Sequence, residues 1–198
     1  MSDPRILFSR AAHQFVAAVR SVPDHAWDRP ALGVWSVREL VAHTLRAVST
    51  VEDYLGHDGE LVTLHSPAEY YRAVLSGPSV HEAVARRAQE DARALEADPV
   101  GGVVTVVERV VPQIDATPLE SVLAVRGGTI TLANYLPTRI LELVVHTDDL
   151  CRAIGHQPVA TDELVAEVVR VLSGLVTVEH LGVVRSLLGR DGGVNLLS

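Results

Sequence analysis

Leu136-Pro137-Thr138-Arg139-Ile140-Leu141-Glu142-Leu143-Val144-Val145-His146-Thr147-Asp148-Asp149-Leu150, running on through Ile154 to Gly155, is the stretch whose reading decides the fold. Its apolar residues recur at helical spacing over more than four turns, which predicts a helix over Leu136 to Ile154. Pro137 is tolerable only near the first turn, and Gly155 is placed to end the helix. Ile140, Leu141, Leu143, Val144, Val145 and Leu150 leave little of the surface to face water, so the helix belongs at the centre of the molecule. Arg139, Glu142, His146 and Asp149 nevertheless recur at intervals of three, four and three residues and stack in one polar stripe. Polar groups on a central helix need partners.

Outward from this helix the chain reads as further helices. A first amphipathic run, Ile6 to Val19, sets Ile6, Phe8, Phe15, Val16 and Val19 near one side. After a linker, Asp24 to Gly33, Ser36 and Glu39 form a capping box that predicts a second helix from Val37 to Leu55. His57 to Ser79 reads as irregular, with a short helix over Pro67 to Val74, and Ser79 is placed to cap a third helix, Val80 to Ala97. Asp98-Pro99 and Gly101-Gly102 read as its stop. The β-branched run Val103 to Val107 with Val110-Val111 predicts a strand, although a buried helix fits its periodicity equally. Val122 to Val125 and Thr129 to Leu132 flank Arg126-Gly127-Gly128 as a hairpin. Thr161 is placed to cap a last helix reaching Val178 and, past a bend near Gly182, Leu188; Gly189 to Ser198 reads as an irregular tail. The expected class is mainly α, a helical bundle with a small β insertion between its third main helix, Val80 to Ala97, and its fourth, Leu136 to Ile154.

The 198 residues suit one domain, 1–198, with a core built from Val, Leu, Ile and Ala, since aromatics make up only 4%. No apolar run is long enough for a membrane span and no signal-peptide profile is present, so the expected location is cytoplasmic. The net charge is −8 and the 17 basic residues, all arginine, are scattered, which argues against nucleic acid as a partner. Cys151 is the only cysteine, which excludes an internal disulfide and a cysteine zinc knuckle. Any metal must rest on histidines and carboxylates.

Glu142 and His146, one turn apart, can put a carboxylate oxygen and an imidazole nitrogen on one ion. Glu39 and His43 repeat that spacing while Glu39 already serves the capping box, so spacing alone does not select a metal pair. His43 lies on the inward face of the second helix with Leu40, Ala47 and Val51, either as a hydrogen-bonded core histidine or as a third ligand. Three protein ligands would leave a coordination position open. Asp149 is placed to orient the His146 imidazole, and Arg139 to pair with Glu142 or a substrate anion; ordinary salt bridges account for both equally well. His13, His25, His57, His65, His81, His156 and His180 have no matching carboxylate stripe, though His57 and His65 could meet across a loop. Cys151, about 140° around the helix from His146, reads as a buried small hydrophobe.

Trp35-Ser36-Val37-Arg38-Glu39-Leu40-Val41-Ala42-His43, followed about a hundred residues later by Arg139, Glu142, His146, Asp149-Leu150, Ala153 and Gly155, resembles the mycothiol-dependent maleylpyruvate isomerase N-terminal domain family of DinB-like bundles. The resemblance implies a four-helix bundle with a divalent metal on His43, Glu142 and His146. Zn2+ is favoured, with Ni2+, Fe2+ or Mn2+ allowed by the ligand set. It also implies mycothiol as the thiol co-substrate, activated as a thiolate for attack on a small electrophile in a transferase or isomerase reaction. The isomerase carries a further C-terminal domain for which this length leaves no room, so the expectation stops at that broader class. The partners expected are a small thiol and an electrophile, with a homodimer allowed. The alternative is a non-catalytic bundle that binds a metal or small ligand for sensing or structure.

Overall fold

The computed structural model describes residues 2–56, 61–75 and 80–187. Ser79 as a cap, the approach of His57 to His65, the side chain of His81 and the tail from 188 onward lie outside the described residues.

Helix α1 (Pro4–Arg20) starts at Asp3, whose carboxylate accepts from the Arg5 backbone N–H, with Pro4 at the first helical position. It buries Leu7, Phe8, Ala11, Phe15 and Val19. Ile6, expected inward, is 56% exposed, and Leu7 takes its place. The segment expected as a plain linker instead holds a 3₁₀ turn (Asp24–Ala26) and a small antiparallel pair, β1 (Pro30–Leu32) with β2 (Trp35–Ser36). Helix α2 (Val37–Tyr54) follows at once through the expected capping box. The Ser36 N–H donates to Glu39 Oε2 at 2.8 Å, and the Glu39 N–H donates back to Ser36 Oγ at 3.3 Å. Helix α3 (Pro67–Leu75) matches the short helix expected there, and α4 (Val80–Ala94) the third.

The strand expected at Val103 to Val111 is not formed: that segment is the middle of helix α5 (Pro99–Ala116). Asp98 caps it, its carboxylate accepting from the Gly101 N–H at 2.8 Å, and Pro99 occupies the first turn. The residues read as a stop signal for the preceding helix are thus the start signal of this one. A Cβ on Gly101 would stand 2.0 Å from the Asp98 carboxylate and one on Gly102 2.6 Å from Leu95 Cδ2, so a larger residue at either position would have to push the cap or the Leu95 side chain aside. Val103, Val107, Val110, Val111 and Ile114 are buried at helical spacing, and core contacts override the β preference of valine.

The hairpin is present as β3 (Val122–Val125) and β4 (Gly128–Thr131), one residue earlier in its second strand than expected. Leu64 adds a parallel bridge to Ile130. Helix α6 (Leu132–Ala153) begins four residues before the expected start, with the Thr131 hydroxyl accepting from the Asn134 N–H. Pro137 therefore lies in its second turn, where the bond it cannot donate would go to the Ala133 carbonyl. Gly155, at φ +75°, ends the helix: the His156 N–H donates to the Cys151 carbonyl at 2.8 Å and the Gly155 N–H to that of Arg152 at 3.1 Å. Helix α7 (Asp162–Ser173) starts after Thr161 without a hydrogen bond from its side chain, and stops short of the expected Val178. A 3₁₀ turn (Val178–His180) and α8 (Leu181–Leu187) follow.

The protein is mainly helical. Helix α1 packs on α5 and α6, and α2 packs on the same two, which makes α1, α2, α5 and α6 a four-helix bundle. The third bundle helix is the valine-rich α5; α4, the expected third, lies outside against α2, while α7 and α3 cover α6. One continuous core joins them, with Phe8, Phe15, Leu40, Ile114, Ile140 and Leu143 sealed inside.

Candidate metal centre

His43 stands on the α2 face that carries Leu40, Ala47 and Val51, all buried. Across from it, the polar stripe of α6 faces the same space because the rest of that helix is spent on core: Leu136, Ile140, Leu143 and Leu150 have no measurable exposure. The packing of α2 on α6 brings His43, Glu142 and His146 together, with one potential ligand atom from each lying within 4.8 Å of the others. This is the one such cluster among the described residues.

The geometry suits a metal ion. His146 Nε2 is 3.3 Å from Glu142 Oε2, and two ligands bonded at about 2.0–2.1 Å on tetrahedral edges stand about 3.3–3.4 Å apart. The imidazole rings of His43 and His146 lie 5.0 Å apart at 75°, edge to face rather than stacked. Each of the two α6 groups is held from behind. His146 Nδ1–H donates to Asp149 Oδ2 at 3.1 Å, which leaves Nε2 for the ion. The Tyr71 hydroxyl lies 2.9 Å from Glu142 Oε1 and 3.0 Å from the Thr138 carbonyl, and it can donate to either. Trp35, delivered by β2, stacks on His43 with centroids 4.5 Å apart and meets His146 at 6.4 Å.

Protonation follows the surroundings. Burial, helped by the neighbouring His146, pushes His43 down to about 4, so near neutral pH it is an uncharged imidazole with a lone pair to give. Burial alone would raise Glu142, but the His146 hydrogen bond, the Arg139 charge and the Tyr71 hydroxyl hold it down at about 2. For His146 burial works downward, and its contacts with Glu142 and Asp149 outweigh it and raise the value.

Asp149 thus stands where the sequence placed it, against His146. Arg139 forms no ion pair with Glu142 among the described residues, although its charge helps to hold Glu142 down, and its guanidinium lies against Tyr135 and Tyr70, 5.0 and 5.4 Å from their ring centroids. Cys151 is buried, as expected of a small hydrophobe. His13, His25, His65, His156 and His180 are exposed and take no part in the cluster.

Over the three groups opens a cavity of about 420 Å³, lined also by Arg46, Arg126, Arg139 and all four tyrosines of the chain, Tyr54, Tyr70, Tyr71 and Tyr135. Sequence reasoning assigned the tyrosines no role. Their scarcity was the available signal, since a core built from aliphatic residues has little other use for them.

No curated protein and no solved structure gives a match to this chain. The family model of the mycothiol maleylpyruvate isomerase N-terminal domain matches residues 8–151, a span that runs from the second turn of α1 through nearly all of α6 and contains His43, Glu142 and His146. With the helical bundle and the paired α2 and α6 motifs already in place, the chain belongs to the mycothiol maleylpyruvate isomerase N-terminal domain family.

Proposed function

We propose that this protein is a metal-dependent enzyme that uses a low-molecular-weight thiol, mycothiol in the first instance, in a transferase or isomerase reaction on a small electrophile. His43, Glu142 and His146 would hold the divalent ion, Zn2+ before Ni2+, Fe2+ or Mn2+. When bound, such an ion supplies the positive charge that turns a thiol of pKa about 8.5 into a thiolate at neutral pH.

The observation that carries this reading is the cavity of about 420 Å³ standing directly on the cluster. A structural metal site is closed by its ligands, whereas three protein ligands facing a cavity leave room for an exogenous one. The chain's own groups prepare that arrangement. His43 is kept neutral by burial and so presents a lone pair without first losing a proton. Asp149 fixes the tautomer of His146, and Tyr71 steadies Glu142 through its far oxygen. Trp35 lies against the His43 ring, centroids 4.5 Å apart and tilted by 39°.

Metal analysis of tag-free protein tests the centre: the parent chain is expected to carry close to one equivalent, and His43→Ala and Glu142→Ala to lose it. Unchanged metal content in both variants would remove the site. Incubation of the metal-loaded protein with mycothiol and reactive electrophiles, read by mass spectrometry, is expected to yield conjugate or isomer. Stoichiometric metal with no product across such a panel favours the other reading, a binding bundle in which the ion ties α2 to α6.

A further inference from the structure

The apolar residues left in water are unevenly spread: among the described residues, nine of the fourteen large exposed ones lie from Val159 onward, beyond residue 151 where the family match ends. Helix α7 buries Leu164, Val168 and Val171 and turns Val165, Val169 and Leu172 outward, with Val169 55% exposed. Their spacing of four and three is that of a seam which meets a second helix, and Val176 prolongs it past the helix end. Ala166 and Ser173, also exposed, lie on the same side, and both are small enough to let another backbone approach. Between Val165 and Ser173 this side of α7 carries no charge.

Helix α8 has the matching lack. Its Leu181, Val183 and Leu187 are all exposed, Val183 to 54%, and among the described residues it packs closely only on the 3₁₀ turn before it. A helix of seven residues does not hold in water without an apolar face to rest on. The chain thus presents an apolar helix and an apolar seam that do not pack closely on each other within one copy. Half of a valine or leucine side chain amounts to about 45 Å² of apolar surface, so the nine residues leave about 400 Å² in water. With polar neighbours in the proportion usual for homodimers this becomes about 600 Å² per copy, against the roughly 600–1,000 Å² per partner of stable interfaces.

We propose that a second copy of this chain covers this end of the molecule, in a two-fold dimer in which α8 of each copy lies on the α7 seam of the other. The exchange is self-complementary, since what α8 of one copy does to α7 of its partner is done in return. A second copy is favoured over an unrelated partner because the chain itself supplies both halves of the contact. The association also bears on the cavity. Arg72 of α3 donates through Nη2 to the Gly174 carbonyl at the end of α7, at 2.7 Å, and α3 carries Tyr70 and Tyr71 into the cavity wall. A partner seated on α7 would brace that wall from behind.

Sedimentation velocity of the full chain at micromolar concentrations is the test. The parent is expected to be a dimer. Val169→Glu in the seam and Val183→Arg in α8 are each expected to keep the parent's circular dichroism and to weaken the dimer by roughly a hundredfold or more. Leu61→Glu, which charges an equally accessible apolar residue elsewhere, should leave the dimer intact. Mixing the two monomeric variants tests the exchange itself. In the mixed dimer one α7–α8 contact sets the introduced carboxylate against the introduced guanidinium and the other is unchanged, so association should return. A mixture that stays monomeric would overturn the exchange. A monomeric parent would overturn the dimer and leave the seam to another protein or to the chain from residue 188 onward. Dimers that withstand both substitutions, or that Leu61→Glu weakens as much, would overturn it as well. If Val169→Glu does not fold, Val183→Arg alone decides, and a dimer as tight as the parent's sinks the proposal. None of these measurements involves a metal or a thiol, so this proposal and the thiol-transfer reading fail separately.

Discussion

His43 and His146 face the same space and hold protons very differently. His43, at about 4, and Glu142, at about 2, have no proton to give up above pH 5. His146, raised above 6.5 by Glu142 and Asp149, has one. A metal must displace that proton, so affinity rises with pH until His146 is itself neutral and then levels. The expected slope between roughly pH 5 and 6.5 is one decade of affinity per pH unit, where two ordinary histidines would give a slope approaching two. Zinc titrations over that range check it, and a slope near two would show that burial does not keep His43 neutral. The three candidate ligand positions were legible in the sequence from one Glu-His pair a turn apart in α6, one inward histidine in α2 and the family resemblance that joined them. The tyrosines were not, since their convergence depends on α3 folding over α6, which no spacing within one helix reports. Arg139 was legible as a member of the stripe, but its partners, two rings rather than a carboxylate, were not.

Helix α2 takes its start, and with it the height of His43, from the box between Ser36 and Glu39. Ser36→Ala removes one side of the box and is expected to cost about 1 kcal/mol by chemical denaturation. Because Trp35 precedes the cap and stacks on His43, the same change should weaken zinc binding more than an equally destabilising core substitution does. A loss of stability with unaltered zinc affinity would show that the cap and the site are uncoupled. The capping box, the hairpin and the core of α6 could all be read beforehand, since each rests on local chemistry. Helix α5 could not be read with the same security. Its valines favour a strand locally, and only the packing of Val103, Val107, Val110 and Ile114 between α1 and α2 makes a helix of them. Asp98-Pro99 was the local clue, since the same pair can close one helix or open the next.

Across the whole molecule, the candidate ligands come from two helices that sit next to each other in the bundle but about a hundred residues apart in the chain. An ion bound only in the folded state stabilises it by mass action, about 2.7 kcal/mol at a hundredfold excess over Kd. For a chain of this size the corresponding shift in Tm is roughly 5–10 °C. Removing zinc with a chelator should lower Tm by that amount in the parent protein and by almost nothing in Glu142→Ala, as differential scanning calorimetry would show. An equal response in both would place the ion elsewhere. Among the described residues no helix is long and apolar enough to cross a membrane.

The stacking of Trp35 on His43 gives the protein an optical gauge of its own. Only two tryptophans are present; Trp27 is buried, with the Arg38 guanidinium carbon 5.6 Å from its ring, whereas Trp35 touches the imidazole that would bind the ion. Indole emission should therefore respond to zinc through one fluorophore of the two. Trp35→Phe is expected to abolish the response and Trp27→Phe to preserve it; the reverse pattern would mean that the indole beside His43 does not sense what His43 holds. With such a signal, occupancy of the centre could be followed in real time, without label or tag.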